Sequence, residues 1–212
     1  MSSVVPGPEY SFEVEQKYDV DADTAVPDWA ALAGVASVDA PDRRALDARY
    51  FDTADGALAR SGTALRRRTG GPDAGWHVKR SAVGGKHETR WPLGEGAHDE
   101  ATPPPPVLDA VAELASPPFV VRARIRTDRT ATVLRDGSGH VLAEFVDDRV
   151  TATDVARSVT TEWREWEFEL GAAAPAEAAG KAALFAAADR LVTAAGGRVA
   201  PADSKLRRAL GG

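Results

Sequence analysis

The stretch Ser11–Val20, "SFEVEQKYDV", puts Glu13, Glu15 and Lys17 at every second position, with Phe12, Val14 and Tyr18 among the residues between them. Successive side chains of a strand point to opposite faces, so this run has one ionic face and one mostly apolar face. Alternation alone does not say whether the ionic face meets bulk water or lines a polar interior. The rest of the chain has to decide.

The same period of two recurs along the chain. In 161–170, "TEWREWEFEL", Glu165, Glu167 and Glu169 share a face with Trp163, opposite Trp166, Phe168 and Leu170. Arg66 and Arg68 stand together in 63–69, Lys79 and His77 in 75–80, and Glu88 and Arg90 in 86–93. Arg122, Arg124 and Arg126 alternate with Val121, Ala123 and Ile125, and Glu144 and Asp148 lie on one face of 140–148. Some strands are purely basic and one is purely acidic. Carboxylates at i, i+2 and i+4 follow one another at about 7 Å and repel unless a cation sits among them. Glu165, Glu167 and Glu169, with Glu13 and Glu15, supply the hard oxygen ligands that Mg²⁺ or Mn²⁺ takes. Rows of Arg and Lys suit phosphate oxygens. Acidic and basic rows facing one cavity fit a metal–polyphosphate complex.

The remaining signals set the frame. Two glycine-rich breaks, "GGPDA" and "VGG", read as hairpin turns, and "VPDWAALAGVASV" (26–38) has a helical start at Pro27–Asp28 with apolar residues near helical spacing. Helices are also expected in the alanine-rich 175–195 and in "DSKLRRAL" (203–210). About eight strands with three or four helices predict an α+β fold, the strands closing into a barrel or forming a sandwich. A single domain over 1–212 is expected, with 1–8 loose and the proline run 102–106 a connector inside it.

Net charge of −6 argues against a nucleic-acid partner, and no 18-residue apolar run is present to span a membrane. The chain has no cysteine and its N-terminus lacks a signal-peptide pattern, so a cytoplasmic location is expected. "VGGK" lacks P-loop spacing, and the four histidines make no zinc-like pattern.

Taken in order, Glu13-x-Glu15-x-Lys17, "YFDTADGALARSGTALRRRTGG" (50–71), "GWHVK", "HETR", "RIRTDR", "AEFVDDRV", "EWEFEL" and "DSKLRRAL" resemble the CYTH superfamily, the triphosphate tunnel metalloenzymes. The likeness covers essentially the whole chain. It implies a closed eight-stranded antiparallel barrel, a tunnel, with helices packed outside and the charged faces inward. By that likeness Glu13, Glu15, Glu165, Glu167, Glu169 and Asp148 hold one or two Mg²⁺ or Mn²⁺ ions. Lys17, Arg66, Arg68, Lys79, Arg90, Arg124, Arg126 and Lys205 bind the triphosphate, and Glu88 and Glu144 complete the lining. Lys17, Glu15 and Glu167 stand nearest the chemistry. Arg129 falls on the opposite phase from Arg126 and its side is left open.

The implied activity is metal-dependent hydrolysis of a triphosphate, inorganic tripolyphosphate first, or a nucleoside or thiamine triphosphate. A class IV-type adenylate cyclase and a non-catalytic polyphosphate-binding module are the alternatives. Bacterial relatives are often fused to a helical CHAD domain, so association with one is a further expectation.

Overall fold

The computed structural model describes residues 7–93, 102–201 and 204–211; most of the segment expected to be loose, residues 1–6, lies outside these. The architecture is mainly antiparallel sheet with a few helices. The strands are β1 (Glu9–Glu13), β2 (Glu15–Asp19), β3 (Ser37–Val38), β4 (Asp42–Asp52), β5 (Thr63–Thr69) and β6 (Gly75–Ala82). They continue with β7 (Gly85–Pro92), β8 (Val120–Arg135), β9 (Val141–Asp154), β10 (Val159–Leu170) and β11 (Arg198–Val199). Helices are α1 (Ala57–Arg60), α2 (Pro105–Asp109), α3 (Ala178–Ala194) and α4 (Lys205–Ala209).

One 11-stranded sheet runs β1-β7-β6-β5-β4-β8-β9-β10-β2-β11, with β3 beside β8. This corrects the expected closed eight-stranded barrel. The reason lies in the opening stretch, which breaks at Val14. Residues before the break pair with β7, and residues after it pair with β10. No ladder joins β1 to β2 among the described residues, so backbone pairing stops there and the two regions are linked by continuous chain and by the side-chain bond from Lys86 to Glu15. The sheet curls around a central cavity with charged residues on its concave side.

The apolar faces explain the helices. Leu184, Ala188 and Val192 of α3 are buried against Tyr18, Phe145, Trp166 and Phe168. Val107 and Val111, on and just after α2, pack with Phe51, Leu65, Trp76 and Val78. Fully burying one such large apolar side chain contributes about 1.5–3 kcal/mol. Tyr18 also donates its hydroxyl to Asp189 at 2.8 Å, tying β2 to α3. Helix α4 is different: its Ala209, with Leu206 and Leu210, packs against Ala48, Tyr50, Ile125 and Val150 at one end of the cavity.

Two local expectations change. The helix expected over 26–38 is only a 3-10 turn at Trp29–Ala31, started by Asp28 accepting from Ala30 N–H. Gly34 at φ +92° and the pairing of β3 with β8 take the chain out of helical geometry. Within the proline run, Pro104 is extended and α2 begins at Pro105, where a missing N–H leaves no helical bond unmade. No helix among the described residues is long and apolar enough to cross a membrane.

Candidate functional site

Ladder register assembles the site. Glu169 of β10 lies directly between Glu15 of β2 and Glu144 of β9, so three carboxylates stand side by side on the concave face. Two residues along, Glu167 faces Lys17. Two further on, Glu165 faces Asp148, which in turn faces Arg129 and then Arg44 across β9, β8 and β4. The basic wall comes from β5 and β6, with Arg66, Arg68 and Lys79. Together these walls bound a cavity of about 650 Å³.

Among the expected site residues, Glu13, Glu15, Lys17, Arg66, Arg68 and Lys79 line this cavity. So do Glu88, Glu144, Glu167, Glu169 and Lys205. Asp148 and Glu165 are buried beside it, where Lys205 reaches both. Three placements are corrected. Arg124 points outward and pairs with Asp47 at 2.5 Å, and Arg126 is likewise exposed. The inward residues of β8 are Ile125, Thr127 and Arg129, because this end of the concave face is the apolar seat of α4. Arg90 does not line the cavity and pairs with Glu9 at 2.6 Å.

Arg44, Tyr50, Lys86 and Arg129 are lining residues outside the expected set. Extending the period of two would have found Lys86 from Glu88, and Arg44 from Tyr50 through Ala48 and Leu46. Arg129 shows its side only once β8 is known to be one uninterrupted strand.

The carboxylates fall into two groups. Glu13 receives Lys79 at 2.6 Å, Glu15 receives Lys86 at 2.5 Å, and Glu144 lies 3.8 Å from Arg44. Glu169 beside them makes no ion pair or side-chain hydrogen bond among the described residues. Burial, then the charges of Glu13 and Glu15, push its carboxyl up to about 7. In the second group, Asp148, Glu165 and Glu167 each place an oxygen within 4.8 Å of the others. Arg129 bonds Asp148 at 2.6 Å and Glu167 at 2.9 Å, Lys17 bonds Glu167, and Lys205 touches all three. Burial and the nearby Lys205 charge pull the Lys17 ammonium down to about 7, against the opposing charges of Glu15 and Glu165.

At the basic end, Arg66 Nη1 donates to the Tyr50 hydroxyl at 3.3 Å and Arg68 pairs with Asp73. Both arginines leave a buried Nε without an acceptor. Glu88 is gripped by His77 at 2.7 Å and by Lys79 at 3.4 Å. Burial depresses the His77 imidazole to about 3. The donor set fits a hard divalent cation on one wall: oxygen ligands throughout, with Glu169 a crowded carboxylate in no close ion pair among the described residues, attracted by Lys79 from a distance.

This fold and site define a charged, cavity-forming α+β protein. A sequence model of the CYTH domain matches residues 11–192, and the chain belongs to the CYTH domain family. Two uncharacterized Mycobacterium tuberculosis proteins, from strains H37Rv and CDC 1551, are each 39% identical over 218 residues, covering 97% of this chain. The chain spans 41% of the length of these relatives. A Bacillus halodurans structure, a candidate adenylate cyclase, superposes with TM-score 0.62 at 19% identity, covering 94% of this chain and 97% of that one. A Hippeastrum candidate adenylyl cyclase with a dominant triphosphatase activity gives 0.55 at 18% identity, covering 94% and 95%. These two likenesses are of fold. The comparisons do not support the expected association with a CHAD domain.

Proposed function

We propose that the chain is a divalent-metal-dependent hydrolase of a triphosphate, with inorganic tripolyphosphate as first substrate. The observation that carries this reading is the opposition, across one 650 Å³ cavity, of an acidic wall on β2, β9 and β10 to a basic wall on β5 and β6. Phosphoryl transfer needs positioning and charge neutralisation more than covalent chemistry from the protein. Arg66, Arg68 and Lys79 would hold the phosphate oxygens, each guanidinium offering a forked pair of donors. Lys17, between the two walls, would contact the phosphoryl group that reacts, and its low-lying ammonium also lets it give up a proton there. The carboxylates would hold Mg²⁺ or Mn²⁺, which when bound supplies charge neutralisation and acidifies water. Glu15 would orient Lys17, 3.5 Å away, and hold Lys86 at 2.5 Å. The cysteine-free composition fits the cytoplasmic setting we assign to this activity.

A second reading, ATP cyclisation, draws on the apolar end of the cavity, where Leu46, Ala48, Ile125, Leu206 and Leu210 provide a surface for an organic group. One incubation with Mg²⁺ or Mn²⁺ separates the cases: phosphate from tripolyphosphate, cyclic AMP from ATP, or neither, the last leaving a binding module. For the hydrolase, Glu15→Ala and Glu167→Ala each abolish phosphate release. Unchanged turnover in both variants overturns the assignment.

A further inference from the structure

His77 stands behind the basic wall, and the proposed chemistry leaves it without a part. It shares a face of β6 with Lys79 and lies across the ladder between Arg66 of β5 and Arg90 of β7. The ring is wholly buried and does not line the cavity, whereas Arg66, Arg68, Asp73, Lys79 and Glu88 all do. Both of its edges are engaged. Nδ1 lies 2.7 Å from Glu88 Oε1, and Nε2 lies 3.0 Å from the Asp73 carbonyl oxygen. A carbonyl only accepts, so Nε2 donates to Asp73, and one further proton lies between Nδ1 and Glu88.

Each edge leads to a different part of the wall. Glu88 lies 3.4 Å from Lys79 Nζ and 3.5 Å from Arg66 Nη2. Asp73 pairs through its carboxylate with Arg68. One imidazole thus joins two groups of cations, Arg66 with Lys79 on one side and Arg68 on the other. The second link matters because Asp73 belongs to the turn between β5 and β6. Residues 70–72 of that turn are exposed, and Gly70 and Gly71 have φ of +77° and +74°. An exposed glycine turn takes its position from whatever ties it to the strands behind it.

We infer that His77 is a positioning residue: it fixes the separation of Arg68 from Arg66 and Lys79, so that one triphosphate chain meets both groups at once. This rests on the triphosphate reading above and adds the residue that sets the reach of its basic wall. A ligand that engages two groups gains from the second contact only where their spacing fits it. Orthophosphate, held by one group, gains nothing from that spacing.

The test compares two ligands on the full chain with chelator present, tripolyphosphate by calorimetry and orthophosphate by ³¹P NMR titration. His77→Phe keeps a flat ring in the buried site and removes both hydrogen bonds. It should weaken tripolyphosphate by about 10- to 100-fold, the scale of hydrogen bonds to charged groups. Orthophosphate should change by less than about twofold, since it does not bridge the two groups. Thermal melts check that the variant folds. Should it not fold, ¹⁵N NMR of the His77 ring in the wild type decides: Nε2 is protonated, and both ring signals move on saturation with tripolyphosphate but not with orthophosphate. Equal losses for the two ligands, an unchanged tripolyphosphate affinity, no tripolyphosphate binding by the wild type, an unprotonated Nε2, or ring signals indifferent to tripolyphosphate each overturn the inference. Phosphate release with Mg²⁺ is scored separately. Release by the wild type with tripolyphosphate binding unchanged in His77→Phe removes this inference and leaves the hydrolase reading; a selective loss of tripolyphosphate binding with no release does the reverse.

Discussion

Arg129 and Asp148 face each other directly across the β8–β9 ladder and are joined by two hydrogen bonds, of 2.8 and 2.6 Å. Asp148 is wholly buried. Burial pushes its carboxyl up, but the charges of Lys205 and then Arg129 outweigh that and hold it well below the usual carboxylate range. The pair is thus a fixed strut between two strands and a partner of the lysine on α4.

Removing Arg129 takes two hydrogen bonds and one of two counter-charges from a carboxylate held out of water, leaving Lys205 at 2.9 Å. Arg129→Met is expected to destabilise the fold by about 1.5–3 kcal/mol, read from urea unfolding at pH 7. The companion Arg129→Met/Asp148→Leu variant should recover much of that loss, because both charges are gone. A single variant as stable as wild type would show that the pair carries no strain-bearing charge.

Glu169 predicts a pH dependence of definite sign. Its carboxyl titrates at about 7 in the folded chain, against about 4.3 unfolded. Between these values the folded state binds more protons than the unfolded state, so this group makes stability fall as pH rises through the window. With chelator present, Glu169→Gln should therefore be more stable than wild type by about 1–3 kcal/mol at pH 8. Below about pH 4 the difference should approach zero, since the carboxyl is then protonated in both the folded and the unfolded chain. Thermal melts at both pH values check it, and an equal difference at each would exclude the crowding of Glu13, Glu15 and Glu144 as the cause.

The inward and outward arginines should behave oppositely. Arg66 lines the cavity with its side chain 13% exposed, whereas Arg124 stands outside, 46% exposed, on Asp47. A charge-assisted hydrogen bond is worth about 1.5–3 kcal/mol, so Arg66→Ala should weaken tripolyphosphate binding by about 10- to 100-fold. Arg124→Ala should change it less than about twofold, an exposed pair contributing about 0–1 kcal/mol to stability and nothing to the cavity. Calorimetric titration of both variants decides, and a large loss in Arg124→Ala would reverse the assigned faces of β8.

Much of the site was legible from alternation. Glu13, Glu15 and Lys17 share a face in any extended chain, as do Glu165, Glu167 and Glu169, and the apolar partners of the latter, Trp166 and Phe168, had to lie under a helix. The helix expected in 175–195 is α3, seen at Ala178–Ala194. The helix expected over 26–38 failed for a local reason, Gly34 at positive φ, and a tertiary one, the capture of Ser37–Val38 by β8.

By itself, then, the sequence determined the two faces of each strand, the inventory of carboxylates and cations, and membership of the CYTH domain family. Which face of β8 turns inward was a tertiary decision: the apolar residues of α4 require Ile125 beneath them, and that sends Arg124 and Arg126 to solvent. The break at Val14, which leaves the sheet open between β1 and β2, depends on ladders made with two distant strands. Register also divided the acids, setting Glu169 between Glu15 and Glu144 and giving Asp148, Glu165 and Glu167 to Lys205. Alternation is a property of one strand, whereas charge balance is a property of neighbours, and only the folded sheet names the neighbours.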